Sequence, residues 1–306
     1  MIQERVNELR KRMESEAINA WYITGTDPHQ SEYVAARWRT REFISGFSGS
    51  AGTVVITKDK ALLWVDSRYY LQGEQQIKGT EYILMKQGLD GVPSPLEWLC
   101  ENLNKNEKVG VDSSTVSIST FLDMEKKLKE KGISLVGTDD YLSPIWKDRP
   151  SIPCTSCVSM KDEYAGFTAA AKINFVRLKL RQEGASWTFI SSIDDIAWLT
   201  NLRANDIPCN PVFVSYLFIS FEEAILFVDK KRFSKDLLKK VEENFTIKGY
   251  DEIASSLPSL TKKGVGYYSQ NKCAYTFYSS LAKKKNKTGD NITTKLKARK
   301  NPVEME

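Results

Sequence analysis

GTVVITKDKALLWVD, residues 52–66, is the segment from which the fold class follows. Two strand-like, largely apolar runs, at positions 52–57 and 61–66, flank the polar turn Lys58-Asp59-Lys60. Such runs around a short polar turn are typical of a β-hairpin. We therefore expect two paired strands here.

Helices and further strands surround this hairpin. Apolar residues at helical spacing between positions 2 and 13 precede a strand-like run at 20–24. Downstream, Ser94-Pro95-Leu96-Glu97 is a capping box that begins a helix, and the segments 108–112 and 134–137 resemble strands. Hairpin strands and crossover strands mixed with helices predict an α/β domain around a mixed sheet.

The same order of elements returns in the second half of the chain. A helical repeat leads to a strand-like run at 186–190 and then to hairpin strands at 211–219 and 224–229. The tryptophans of the two first strands, Trp21 and Trp187, are 166 residues apart. Two diverged copies of one domain explain this order, and chance similarity between two α/β units is the alternative.

A proline-rich segment separates the two copies. Residues 139–153 contain three prolines and break the alternation of elements, as domain linkers often do. We place a first domain at residues 1–155 and a second at 156–297. Asn301-Pro302-Val303-Glu304 has the cap residue, proline and acid of a helix start. Only Met305 and Glu306 follow, and so short a helix would be unstable alone. We therefore expect the natural chain to continue.

The composition excludes several classes of protein. Of the 306 residues, 41% are hydrophobic and 27% are charged, which is typical of a globular protein. No apolar run approaches the roughly 18 residues of a membrane span, and the first residues lack the apolar core of a signal peptide. We expect a soluble, cytoplasmic protein with no membrane partner.

The net charge of +5 is unevenly distributed. Residues 283–300 contain eight basic residues and one acid, Asp290, which leaves −2 on the rest of the chain. Nucleic-acid binders usually carry positive charge over a folded face with interleaved aromatic residues, and this segment has no aromatic residue. We therefore expect a solvated linker and no nucleic-acid partner.

The five cysteines do not indicate a disulfide framework or a metal site. They are odd in number and scattered, which suits reduced thiols. Cys154 and Cys157 form a C-x-x-C motif, but it follows a proline-rich segment rather than opening a helix. A zinc site would need a second such pair, which the sequence lacks.

The residues give no complete active site. His29 is the one histidine, so a nucleophile would have a single candidate base. The glycine-rich segment 45–52 is neither a nucleophile elbow nor a phosphate-binding loop, and we expect it to lead into a strand. Asp194 and Asp195 follow Ser192, which favours helix-end chemistry over catalysis. From the residues alone we predict no catalytic group and no metal ligand.

Several longer motifs resemble one family, the Xaa-Pro aminopeptidases (aminopeptidase P). In the first half they are His29-Gln30-Ser31-Glu32-Tyr33, residues 41–53, Trp64-Val65-Asp66-Ser67-Arg68-Tyr69-Tyr70, Leu84-Met85-Lys86-Gln87-Gly88 and Ile145-Trp146-Lys147-Asp148-Arg149-Pro150. In the second half they are residues 195–203, residues 210–216 and residues 297–304. The resemblance covers essentially the whole chain.

This resemblance implies two tandem creatinase-like N-terminal domains, each a mixed sheet flanked by helices. It implies that residues 298–306 begin a third, pita-bread domain that holds two divalent metals, manganese in particular. Peptides with proline at the second position would be the substrates, a homodimer the assembly, and this portion alone inactive. The alternative is a stand-alone, non-catalytic protein of the same fold that binds peptides or supports assembly.

The resemblance also singles out Arg68 as the residue of this portion that contacts substrate. It matches the arginine of the family's Asp-Gly-Arg-Tyr motif, and its guanidinium group could donate to a peptide carboxylate or carbonyl. The structural alternative is an ion pair with Asp66 or Glu74. Ser67 and Ala204 stand where the family commonly has glycine, which could alter loop conformation.

Overall fold

A computed structural model describes residues 1–306, which divide into two units. Unit 1 comprises Met1–Asp27 and Glu32–Ser151, and unit 2 comprises Pro28–Ser31 and Ile152–Glu306. None of the helices has the length and hydrophobicity that crossing a membrane requires.

Unit 1 is built from six strands and five helices. The strands are β1 (Ala20–Ile23), β2 (Thr53–Thr57), β3 (Ala61–Val65), β4 (Tyr82–Lys86), β5 (Lys108–Asp112) and β6 (Ser134–Thr138). The helices are α1 (Ile2–Ser15), α2 (Thr40–Ser45), α3 (Tyr70–Ile77), α4 (Pro95–Asn102) and α5 (Ile118–Glu130), with 3-10 turns at Ala36–Trp38 and Ser67–Tyr69.

The strands of unit 1 form one mixed sheet in the order β4-β3-β2-β1-β5-β6. β2 pairs antiparallel with β1 and β3, whereas β4, β5 and β6 join in parallel. Thr53 pairs with Trp64 and Ile56 with Ala61, which confirms the first predicted hairpin. Every residue of β3 is buried, as expected for an inner strand covered on both faces.

Helices cover both faces of this sheet. Successive residues of the inner strands point to opposite faces and are apolar, so each face needs a covering layer. Val6 and Leu9 of α1 belong to the cluster that contains Trp21. Trp98 of α4 and Leu128 of α5 belong to a second cluster on the other face. The predicted capping box at the start of α4 is present, with Ser94 and Glu97 bonded to each other's backbone amides.

Unit 2 repeats this architecture with additional short elements. Its strands are β7 (Val158–Ser159), β8 (Trp187–Ile190), β9 (Leu202–Arg203), β10 (Tyr216–Ser220), β11 (Ala224–Phe227), β12 (Thr246–Lys248), β13 (Gly266–Tyr268) and β14 (Lys287–Thr288). Its helices are α6 (Asp162–Ala165), α7 (Ala169–Gln182), α8 (Ile193–Thr200), α9 (Lys235–Glu242), α10 (Ile253–Leu260), α11 (Tyr278–Leu281), α12 (Thr294–Ala298) and α13 (Pro302–Met305), with 3-10 turns at Lys230–Arg232, Tyr250–Glu252 and Tyr275–Phe277.

The main sheet of unit 2 has the order β12-β11-β10-β8-β13-β14, and β7 pairs with β9 in a separate two-stranded sheet. β10 pairs antiparallel with β8 and β11, and the other three strands join in parallel. Strand order and direction are therefore the same in both units. This identity confirms the predicted duplication and the α/β fold class with two mixed sheets.

One packing detail also recurs in both sheets. Trp21 pairs with Gly110 on the neighbouring strand, and a Cβ added to that glycine would lie 2.6 Å from the indole ring. Trp187 lies next to Gly266 in the same way, at 2.2 Å from such a Cβ. Each glycine leaves the space that the tryptophan fills, so neither position tolerates a side chain without displacement.

Two sequence expectations about unit 2 are wrong. The first strand of the second hairpin begins at Tyr216 rather than at position 211, because the amide of Val214 donates to the buried Asp206 carboxylate instead of a strand partner. The basic segment 283–300 is not a solvated linker. It contains β14 and α12, and its Ile292 and Thr293 are buried.

A buried ion pair fixes the start of unit 2. Arg232 and Asp206 lie 2.8 Å apart with almost no exposure of either side chain. Asp206 also accepts from the amide and the hydroxyl of Thr155, and Arg232 donates to the carbonyl of Pro153. Both terminal nitrogens of Arg232 and the Asp206 carboxylate thus have hydrogen-bond partners, which help to offset the desolvation cost of a buried pair, while Nε of Arg232 has none.

Candidate functional site

The end of β3 places Arg68 on the surface of unit 1. Asp66 follows the strand and accepts a hydrogen bond from the Arg68 amide at 3.0 Å, which caps the 3-10 turn Ser67–Tyr69. Side-chain oxygens of Asp satisfy free amides in this way at helix starts. Neither Ser67 nor Ala204 has a positive φ, so replacing glycine at these positions introduces no left-handed strain.

The Arg68 side chain forms a two-point ion pair with Asp66. Nε of Arg68 lies 3.0 Å and Nη2 lies 2.7 Å from the two carboxylate oxygens, while Glu74 pairs with Lys86 instead. Hydrogen bonding to Arg68 lowers the pKa of Asp66. The arginine side chain is 65% exposed, and a pair so exposed contributes little to folding because solvent screens it.

Tyr69 connects this pair to the glycine-rich segment. Its hydroxyl lies 2.7 Å from the hydroxyl of Ser50, and this hydrogen bond lowers the pKa of Tyr69. The tyrosine ring centre is 5.3 Å from Cζ of Arg68, and the Tyr69 and Phe47 rings pack edge-to-face with their centres 5.7 Å apart. The Arg68 side chain is therefore positioned by Asp66 through an ion pair and by Tyr69 through its ring.

Arg41 holds the glycine-rich segment through hydrogen bonds to its backbone. Its position within the motif 41–53 did not indicate this role. Its guanidinium group donates to the carbonyls of Gly49 and Gly52 and lies over the Phe47 ring. Burial lowers the pKa of Arg41. The segment between α2 and β2 follows a helix and precedes a strand, which is the reverse of a nucleophile elbow and agrees with the prediction from the sequence.

His29 belongs to unit 2 and is 1% exposed. Its Nδ1 lies 2.9 Å from the carbonyl oxygen of Ser191, and its Nε2 lies 3.0 Å from the hydroxyl of Tyr250. A carbonyl only accepts, so Nδ1 donates to Ser191, and Nε2 shares a second hydrogen bond with the tyrosine hydroxyl. The imidazole also packs 4.5 Å from the Tyr216 ring. These contacts assign the histidine to the core of unit 2.

The two buried cysteines do not provide an activated nucleophile. All five cysteines are free, and Cys157 and Cys273 are buried. Burial raises the pKa of Cys273 to about 12 and that of Cys157 to about 12, so both remain protonated thiols near neutral pH. No group of three or more His, Cys, Asp or Glu side chains converges on a position where a metal ion could bind.

Asp194 and Asp195 form a clamp with the C-terminal segment. Lys297 pairs with Asp194 at 2.6 Å and with Asp195 at 2.8 Å, and Asn291 donates to Asp195 at 2.5 Å. Burial alone would lower the pKa of Lys297, but the two carboxylates outweigh it and raise that pKa. Ser192 precedes α8 as predicted, yet its hydroxyl accepts from Asn291 instead of capping the helix.

Known proteins resemble this chain in sequence and structure. Two protein-family models, both described as Creatinase/Prolidase N-terminal domain, match residues 5–145 and 148–304. Xaa-Pro aminopeptidase 1 of Dictyostelium discoideum is 34% identical over 92% of this chain and 46% of its own length. Aminopeptidase P1 of Lotus japonicus is 40% identical over 79% of this chain and 37% of its own. This chain thus spans less than half the length of these curated relatives.

A solved structure matches the entire chain. The X-prolyl aminopeptidase of Caenorhabditis elegans, described as a cytosolic enzyme with a di-nuclear active site, superposes with a TM-score of 0.94 at 29% identity. The match covers 100% of this chain and 52% of that protein.

Proposed function

This chain belongs to the Creatinase/Prolidase N-terminal domain family, and from that membership we propose that it is the N-terminal portion of an Xaa-Pro aminopeptidase. Such an enzyme hydrolyses the bond between an N-terminal residue and a following proline. The observation that carries the proposal is the superposition of the whole chain on about half of an X-prolyl aminopeptidase. We propose a cytoplasmic location on the same ground.

We propose that catalysis and substrate access belong to different domains of the complete protein. The residues of this portion do not converge on a metal site, so they do not suit a di-nuclear centre. In this proposal two divalent metals, manganese in particular, belong to a domain that begins near residues 298–306. The domains at 1–155 and 156–297 shape the route of the peptide and support assembly, which would be a homodimer.

Within this portion, Arg68 is the residue that we propose contacts the peptide substrate. Its guanidinium group is exposed and charged, and the contacts of Asp66 and Tyr69 orient it. A planar arginine fork is well suited to binding peptide oxygens. The ion pair with Asp66 is compatible with this role because only part of the fork is used.

Comparing the 306-residue chain with the product of the complete reading frame tests the proposed enzyme. The complete protein should cleave Arg-Pro-Pro, lose activity with a chelator and regain it with manganese, while the 306-residue chain should not cleave it. A reading frame that stops at Glu306 would instead support the stand-alone, non-catalytic alternative. Hydrolysis by the purified short chain would contradict our assignment of catalysis to another domain.

Arg68→Ala in the complete protein tests the substrate contact. Losing a charged hydrogen bond to the substrate should lower kcat/KM by about 10- to 150-fold. Tm should change little because the pair is exposed. Arg39→Ala is the matched control, since Arg39 is a half-exposed arginine of the same unit that pairs with Glu42. A drop of several degrees in Tm with normal kcat/KM would assign Arg68 to the scaffold.

A further inference from the structure

The ion pair with Asp66 leaves a defined part of the Arg68 guanidinium group for a ligand. Asp66 accepts from Nε and from one hydrogen of Nη2. An arginine has five N–H donors in a rigid plane, so two on Nη1 and one on Nη2 point away from Asp66. These three donors suit one or two oxygen acceptors.

Carboxylates lie near these donors. Asp66 compensates the charge of Arg68, and the exposed carboxylate of Glu32 is close enough to act on the same guanidinium group. An anionic ligand would thus gain hydrogen bonds but meet the negative charge of Asp66 at short range, with that of Glu32 adding to the repulsion.

We propose that Arg68 binds a neutral carbonyl oxygen of the peptide rather than a terminal carboxylate, and that Asp66 is the positioning residue that sets this preference. This inference rests on the proposed function and specifies its substrate class: peptides that extend past Arg68 and present a main-chain carbonyl there. Short peptides that end at Arg68 place their carboxylate beside Asp66 and Glu32 and bind less well.

The experiment uses the complete protein and a series of Arg-Pro peptides of increasing length, each with a free carboxylate or a C-terminal amide. The length at which Arg68→Ala has its largest effect identifies the peptide whose last residue reaches Arg68. At that length, the wild-type protein should prefer the amide to the free acid by about threefold or more in kcat/KM, the scale of one nearby charge.

Two variants change the charge and one serves as a control. Asp66→Asn keeps an oxygen that can cap the turn, and Glu32→Gln removes the second charge without touching that cap. Both should reduce the preference for the amide, mainly by lowering KM for the free acid. Glu74→Gln is the matched control, because it removes a carboxylate that pairs with Lys86 and not with Arg68. It should leave the preference unchanged.

The outcomes separate this inference from the proposed function. If Arg68→Ala lowers kcat/KM but the ratio of amide to acid is unchanged in Asp66→Asn and Glu32→Gln, the inference is wrong and the substrate contact stands. If Arg68→Ala affects no peptide of any length, the substrate contact is wrong and the inference falls with it. A wild-type preference for the free acid would overturn the inference directly.

Discussion

The ammonium group of Lys172 lies 2.9 Å from the carbonyl oxygen of Trp198 and 2.7 Å from the side-chain oxygen of Asn201. Asn201 ends α8 in the left-handed conformation, with a φ of 56°. Lys172 thus satisfies oxygens at a helix C-terminus, where a cation is favourable. Burial, together with the charge of Arg203, lowers its pKa to about 8.

This shift predicts a pH-dependent contribution to stability. The pKa of Lys172 falls from an ordinary 10.5 to about 8 in the folded protein. Between these values the unfolded chain binds more protons, so the contribution of Lys172 to the free energy of unfolding rises as pH increases from about 8 to 10.5. For a shift of this size the rise is about 3–4 kcal/mol in total, at about 1.4 kcal/mol per pKa unit.

Urea unfolding of the wild type and of Lys172→Met at several pH values measures this contribution. The free energy of unfolding of the wild type minus that of Lys172→Met should increase from about pH 8 to 10.5. Glu304 and Asp162 oppose the shift through their charges, so they stay unchanged in both proteins. Lys179→Met is the matched control, a lysine of the same helix that pairs with Glu183. An equal pH dependence for both variants would contradict the prediction.

Three buried cationic side chains could not be predicted from the sequence. The ion pair of Arg68 and Asp66 was one of the expected alternatives, because the residues are two positions apart. Arg41, Lys172 and Arg232 were not singled out, although each is less than 9% exposed. Arginine and lysine are mostly exposed in proteins, and the carbonyls and carboxylate that hold these three lie far from them in sequence or on loops.

At the scale of elements, the C-terminal segment shows a similar contrast. The helix start at Asn301 is confirmed, with a capping box between Asn301 and Glu304. The preceding basic residues suggested a solvated linker, because charge alone does not show which lysines have partners. Asn291 and Lys297 bind carboxylates about 100 residues earlier in the chain, and such long-range pairing leaves no local signal.

The clamp predicts how easily this segment opens. Asp195 is 5% exposed and binds both Asn291 and Lys297, whereas the Asp194 side chain is 61% exposed and binds Lys297 alone. Asp195→Asn removes a buried charged interaction of about 1.5–3 kcal/mol, which should raise the population of the opened segment about 10- to 150-fold. Limited trypsin cleavage at the lysines after Asn291 should accelerate by the same factor.

Asp194→Asn is the matched control for this experiment, since it makes the same chemical change one residue away. Because Asp194 is exposed, its substitution should accelerate cleavage by less than about fivefold. Far-ultraviolet circular dichroism of both variants checks that the remainder of unit 2 stays folded. Equal acceleration by the two variants would show that Asp195 does not hold the segment.

At the scale of the whole molecule, the duplication could be predicted because it depends on the order of elements. Helix, strand and hairpin recur in both halves, and each has its own local pattern of apolar residues and turns. The assignment of Pro28–Ser31 to unit 2 could not be predicted in this way. Its basis is the burial of one histidine among aromatic residues more than 180 positions later, which no periodicity reveals.

This assignment predicts that a fragment beginning at Ile152 lacks a part of unit 2. In the intact chain, Tyr250→Phe removes the hydrogen bond to His29 and should weaken unit 2 by about 1 kcal/mol. The fragment 152–306 lacks His29, so in it Tyr250→Phe should lower the free energy of unfolding of unit 2 by about 1 kcal/mol less than in the intact chain. Hydrogen exchange of the β8 and β10 amides measures both costs within unit 2 alone. Tyr267→Phe is the control, a hydroxyl of unit 2 that makes no bond to His29, and its cost should be equal in both proteins. If Tyr250→Phe also costs the same in the fragment and in the intact chain, the hydrogen bond to His29 adds nothing to the stability of unit 2.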